Sequence, residues 1–331
     1  MVKSIYHKTL IPINQFIHYQ HSGGIVLLLS VVLALIFANS PMRDEYHHFW
    51  DSDLRIAFNK WELNYTFHQW INDGLMAMFF FVVGLELKRE IIIGELSTLK
   101  KAILPIAAAI GGMVVPALIY LFINKGYPSI EGWGIPMATD IVFTLALIGL
   151  VSKQVPLAAK IFLVALATVD DLGAIAVIAF FYSSHLSISN LTIGLILLSI
   201  LLFANFIGIR NMFFYAIIGI GGIWLAFLLS GVHATIAGVL VAFTIPARTK
   251  LNELAYSENI RDLMIRFDKE IPQRGPLITL KQNELIEAIK VSSMDAQAPL
   301  QKLEIALHPW VTFLVIPLFA LSNAGVEIGD N

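Results

Sequence analysis

Ala167-Thr168-Val169-Asp170-Asp171-Leu172-Gly173 places two adjacent aspartates in the middle of an apolar run from Pro156 to Tyr182. That run is long enough to cross a bilayer as a helix, which takes roughly 20 residues. A carboxylate at the bilayer centre costs about 3 kcal/mol on insertion scales, and two neighbours cost more. A Leu or Ala would pack there without the penalty. Two neutral, hydrogen-bonded aspartates tying helices together are the plainer alternative, but one Asn would serve that purpose.

Outward from this stretch the chain stays apolar. Of its 331 residues 57% are hydrophobic and only 14% charged, with a mean hydropathy of +0.75. Soluble domains carry about 25% charged residues, so the composition predicts an all-α, polytopic membrane protein. The absence of cysteine excludes disulfides and thiolate metal sites. No basic patch interleaved with aromatics suggests nucleic acid. The first apolar run, Ser22 to Asn39, resembles a signal peptide ahead of Ala38-Asn39-Ser40. Its length, its weakly charged leader and Pro41 favour a retained first helix instead.

Nine apolar runs follow one another: Ser22–Asn39, Asn72–Leu87 (with a start as early as Phe67), Ala102–Asn124, Gly134–Val151, Pro156–Tyr182, Leu191–Ile207, Met212–Leu229, Val232–Ile245 and His308–Val326. Between the first two, Asp53–Phe58 and Trp61–Tyr65 alternate apolar and polar residues across Asn59-Lys60, the pattern of a small β-hairpin. The polar segment 246–306, between the eighth and ninth runs, reads as a solvated cytoplasmic insert with short helices in an otherwise single transmembrane domain, 1–331. Of the 22 basic residues, nine fall in short segments on the side of the N-terminus, nine in the 246–306 segment and four on the other side. The excess of basic residues on the cytoplasmic side predicts a cytoplasmic N-terminus.

The fourth run holds a second anomaly. Gly134 and Pro136 weaken it as a helix, and Pro136 removes a backbone donor. Non-helical backbone at membrane depth must line a cavity or be buried in protein. Asp140 is a third carboxylate near mid-membrane, beside the Thr139 hydroxyl and whatever carbonyls the break frees. Hard cations take oxygen ligands, and broken helices supply them in secondary transporters. Asp170 and Asp171 point about 100° apart around a helix, so one can face a cation and the other a neighbouring helix. Desolvation and mutual repulsion make such a cluster titrate as a coupled set. It can then hold protons or a cation, one displacing the other. Two other classes are open at this point. An intramembrane aspartyl protease would need a dyad from two helices, such as Asp140 with Asp171. A proton-coupled solute carrier would need aromatic or basic groups near the aspartates, and the fourth and fifth runs offer none.

Five motifs carry a resemblance: Gly-Leu-Glu-Leu-Lys-Arg-Glu at 84–90, Ala-Thr-Asp at 138–140, Val-Asp-Asp-Leu-Gly at 169–173, Ser-Gly-Val-His-Ala-Thr at 230–235, and Leu-His-Pro-Trp-Val with Pro-Leu-Phe-Ala-Leu-Ser-Asn-Ala-Gly at 307–325. In that order they resemble the bacterial NhaA family of sodium/proton antiporters, from about Ser22 to Val326. The resemblance implies a transporter rather than an enzyme. It would sit in the bacterial inner membrane and exchange cytoplasmic Na+ or Li+ for external H+, electrogenically, with no cofactor beyond the transported ions. Asp170 and Asp171 would be the Na+-binding pair, with Asp140 and Thr139 in the unwound part of the fourth helix. Glu86, Arg89, Glu90, Glu304, His308 and His233 would be the pH-responsive groups. The hairpin would pair two copies into a homodimer surrounded by lipid. The family has twelve helices with inverted repeats, whereas nine runs are counted here. The expectation is therefore a C-terminally incomplete antiporter, with an inactive or split fragment as the alternative.

Overall fold

The computed structural model describes residues 22–58, 61–94, 96–137, 139, 155–181, 186–270 and 277–328. Most of the expected fourth helix, Asp140 included, lies outside these residues.

Helix α1, Ser22–Ala38, is apolar all round and ends at Asn39; α2, Arg43–Trp50, leaves it at a bend of 118°. The alternating segment forms the expected hairpin. Strand β1, Asp53–Phe58, runs antiparallel to β2, Trp61–Thr66, with Asp53 opposite Thr66 and Phe58 opposite Trp61. Thr66 then starts the next helix with a capping box: its hydroxyl accepts from Gln69 N (3.2 Å), and Gln69 Oε1 accepts from Thr66 N (3.0 Å). That box explains why the helical path begins at Phe67 rather than Asn72. It passes through a π-helical stretch, Trp70–Leu75, into α3, Met76–Ile93.

Helix α4, Leu99–Ile123, leads into a 3₁₀ run, Pro128–Met137, so the stretch from Gly134 to Met137 is not α-helical. Then come α5, Leu157–Phe181; α6, Ile188–Phe206; α7, Met212–Leu228; and α8, Ala234–Thr244. The polar segment holds a helical hairpin, α9 (Glu253–Lys269) and α10 (Leu280–Asp295). At its far end Lys281 lies 2.9 Å from Glu270, whose carboxylate holds the ammonium above the ordinary lysine range.

Helix α11 spans Pro299–Asn323. It starts nine residues before His308, where the ninth apolar run begins, so the helix extends back into the 246–306 segment. Pro299 suits a first helical turn. Leu300 and Glu304, one turn apart, are 2% and 8% exposed. The opening turns of α11 look polar in sequence but bury one face against protein.

Among the described residues three helices are long and apolar enough to cross a membrane, α4, α6 and α11. The bent α1–α2 pair would be a fourth, and α7 and α8 are shorter apolar helices. Ile103, Leu104, Leu118 and Phe122 stand exposed along α4, as a lipid-facing surface requires. The core lies between α3, α6, α7, α8 and the start of α11, around Leu85, Leu201, Tyr215, Ile223, Ile245 and Leu300. Helices α3 and α8 cross closely: a Cβ on Gly238 would sit 2.3 Å from the Ala77 carbonyl oxygen. Only glycine fits there.

Candidate functional site

Helix α5 positions the first site. Its inward face carries Ala165, Ala167, Thr168 and Asp170, each at most 7% exposed. Thr168 spends its hydroxyl on its own helix, donating to Val164 O at 2.8 Å. Asp170 instead meets another element. The 3₁₀ run is tied to the end of α4, where Tyr120 Oη donates to Ser129 O at 2.9 Å and Ser129 Oγ to Asn124 Oδ1 at 2.8 Å. Trp133 packs edge-on against Phe181 near the end of α5, with ring centroids 5.2 Å apart. Past Met137 the chain delivers Thr139, whose hydroxyl donates to Asp170 Oδ2 at 2.5 Å. The other oxygen, Asp170 Oδ1, is buried and accepts no hydrogen bond from the described residues. Asp171, the next residue round the helix, is half-buried. One turn on, a Cβ at Gly173 would sit 2.2 Å from Met113 Sδ. The missing side chain lets α4 lie against α5 beside the aspartates.

The second cluster forms at the end of α3. Arg89 Nη1 donates to Glu304 Oε1 of α11, and Arg89 Nη2 lies 3.5 Å from Glu90 Oε1. Glu86 sits within electrostatic reach of Glu304, Arg89 and Glu90. His308, one turn beyond Glu304, adds its charge when protonated and lies 3.4 Å from the Thr312 hydroxyl. Five of the six residues expected to respond to pH therefore meet at one place, across more than 200 residues of sequence.

His233 does not join them. It is the N-cap of α8, while the Arg89 cluster lies by the other end of that helix. Eleven helical residues separate the two ends, about 16 Å. His233 interacts instead with Asp73, and with Asn72, Met137 and Ala174 it lines a cavity of about 570 Å³. Met137 and Ala174 belong to the two segments that carry Thr139 and Asp170, so this cavity adjoins the aspartate site.

With this geometry in place, the comparisons with known proteins decide the family. The sequence model of the Na+/H+ antiporter 1 family matches residues 14–331. Among curated relatives, the Na+/H+ antiporter NhaA 2 of Syntrophotalea carbinolica is 49% identical over 96% of this chain and 72% of its own length. The NhaA of Oleidesulfovibrio alaskensis is 47% identical over 97% and 71%. The NhaA 1 of Saccharophagus degradans is 45% identical over 98% and 70%. The chain belongs to the Na+/H+ antiporter family. It is a multi-pass membrane protein and a transporter rather than an enzyme, and it spans about seven-tenths of those relatives' length.

Two residues of this antiporter-family chain were missed by sequence reading. Asp73 opens an apolar run rather than sitting in its middle, so the cost that singled out Asp170 and Asp140 did not point to it; only the structure sets it beside His233. Lys88 is one of the nine basic residues in short segments on the side of the N-terminus, where it counts only toward topology. Nothing in its sequence neighbourhood distinguishes it from Arg89, yet the two side chains go to different helices.

Proposed function

We propose that this chain exchanges Na+ or Li+ from the cytoplasm for external protons across the bacterial inner membrane, with Asp170 and Asp171 as the site that holds either ion. The observation that carries this reading is Asp170: a buried carboxylate with one oxygen held by a hydroxyl and the other unbonded among the described residues. A hydroxyl fixes geometry but offsets no charge. A carboxylate so placed needs a proton or a cation beside it, and alternating between the two is exchange. Thr139 orients Asp170 and stands where its hydroxyl oxygen can also face a cation. Asp140, next in sequence, completes the oxygen-rich set in the broken fourth helix of the NhaA-like fold. The proposal keeps nine crossings with the N-terminus in the cytoplasm. The Arg89–Glu304 cluster then lies at the cytoplasmic mouth and sets the pH response with Glu86, Glu90 and His308, while His233 acts from the opposite end. The hairpin, a two-stranded sheet with no third strand among the described residues, joins two copies through an edge.

The deciding measurement is sodium-driven proton movement in vesicles holding the full chain and its Asp171→Asn variant. An amide cannot cycle between proton and cation, so the variant should be silent. Parental exchange by Asp171→Asn would remove the aspartate pair from the mechanism.

A further inference from the structure

Lys88 adjoins Arg89 in sequence but turns to a different helix. Its Nζ donates to the carbonyls of Phe243 at 2.7 Å and Ile245 at 2.5 Å. These close the end of α8, with Ile245 as its C-cap. A helix leaves its last four carbonyls without intrahelical donors, and the partial negative charge there favours a cation. The next residue continues the chain of contacts: Pro246 O accepts from Leu300 N at 3.1 Å. Leu300 lies in the first turn of α11, where backbone donors lack intrahelical partners, and its buried side chain packs in the core with Ile245. One turn further, Glu304 meets Arg89. The contacts close a ring: α3 holds the end of α8 through Lys88, that end holds the first turn of α11, and α11 returns Glu304 to α3.

We propose that Lys88 is a positioning residue for the Arg89–Glu304 ion pair, fixing the end of α8 so that the Pro246 carbonyl sets the height at which α11 presents Glu304. A lysine kept only to set topology would be solvated. This one is half-buried and spends two donors on the main chain of another helix. The inference rests on the reading that the Arg89–Glu304 pair sets the pH response. The ionisable groups facing that pair are Glu86 and Glu90 from α3, His308 from α11, and Glu253 at the start of α9, which shares with Arg89 the wall of a cleft of about 600 Å³. Lys302, also on α11, turns away to the Met294 carbonyl.

The test is the pH profile of sodium/proton exchange in vesicles carrying the full chain. Lys88→Met should move the pH of half-maximal exchange by about one unit, as expected when one contact of an ionised carboxylate loosens. The shift should have the direction of the Arg89→Gln shift, with apparent sodium affinity at the optimum unchanged. Lys88→Arg, which keeps the positive charge and several N–H donors, should restore the parental profile. In the double variant Lys88→Met/Glu304→Gln the profile should equal that of Glu304→Gln alone. A parental profile for Lys88→Met, or additive shifts in the double variant, would overturn the assignment. If Lys88→Met does not accumulate in the membrane, Lys88→Gln takes its place with the same two outcomes. A shift for Glu304→Gln without one for Lys88 removes only this inference. No shift for Glu304→Gln removes the pH-response reading and this inference together.

Discussion

Asp170 and Glu304 are both buried carboxylates, each held by one short hydrogen bond from a distant segment, and they differ in the donor. Asp170 is bound by a neutral hydroxyl, Thr139, and keeps a second oxygen unbonded among the described residues. Glu304 is bound by a guanidinium and faces further ionisable groups. The donor decides what the carboxylate can do. Beside Arg89 the Glu304 carboxylate has a cationic partner inside the protein, and the contact joins α3 to α11, which is what the proposed pH response asks of it. Beside Thr139 the hydrogen bond offsets no charge, which is what the proposed exchange site asks of Asp170. One arrangement suits regulation and the other suits transport.

The comparison breaks most visibly at the aspartates. Asp171→Asn should abolish sodium-driven proton movement and Asp170→Asn should sharply reduce it, both read by pH-gradient dissipation in vesicles. In the parent, protons and sodium should compete, so apparent sodium affinity should weaken as pH falls. An affinity that stayed constant from acid to alkaline pH would rule out a shared site.

The donor itself can be removed. Thr139→Val should weaken apparent sodium affinity about tenfold, the loss expected for one hydrogen bond to a charged group, and Thr139→Ser should restore it. A Thr139→Val variant with parental affinity would mean that the hydroxyl does not organise Asp170.

At the other cluster the change should be in pH dependence rather than capacity. Glu304→Gln should shift the pH of half-maximal exchange by about one unit and leave the maximal rate near that of the parent. A collapse of the maximal rate with an unshifted profile would place Glu304 in the transport step and erase the distinction between the two regions.

The smallest effect concerns packing beside the aspartates. Gly173→Ala sets a Cβ against Met113 Sδ and should cost about 1–2 kcal/mol of stability by overpacking, read as a lower thermal midpoint in detergent. Met113→Ala in the same background should recover part of it. Full stability of Gly173→Ala would show that Met113 moves aside without cost.

Much of this was legible in the chain. The hairpin follows from period-2 alternation in Asp53–Phe58 and Trp61–Thr66, a local property of consecutive residues. Helices α1 and α4 to α8 follow from apolar runs, although their ends move by a few residues. The start of α11 was not legible, because Leu300 and Glu304 bury a face that only α3 and the end of α8 create. The gathering of Glu86, Arg89, Glu90, Glu304 and His308 was implied by resemblance alone. No pattern within the chain says that residue 89 meets residue 304.

The sequence by itself determined that this is a membrane protein, because apolar runs interrupted by turns have no other solvent. It also singled out Asp170 and Asp171 as candidates, because carboxylates in such a run carry a cost that apolar packing avoids. Only the tertiary structure decided which donor each carboxylate receives. Thr139 reaches Asp170 across 31 residues and Arg89 reaches Glu304 across 215. Lys88 and Arg89, adjacent and both basic, were sorted onto a helix end and a carboxylate. Successive side chains on a helix leave at about 100° to each other, so the helices packed on either side, and not the residues themselves, assign them their partners.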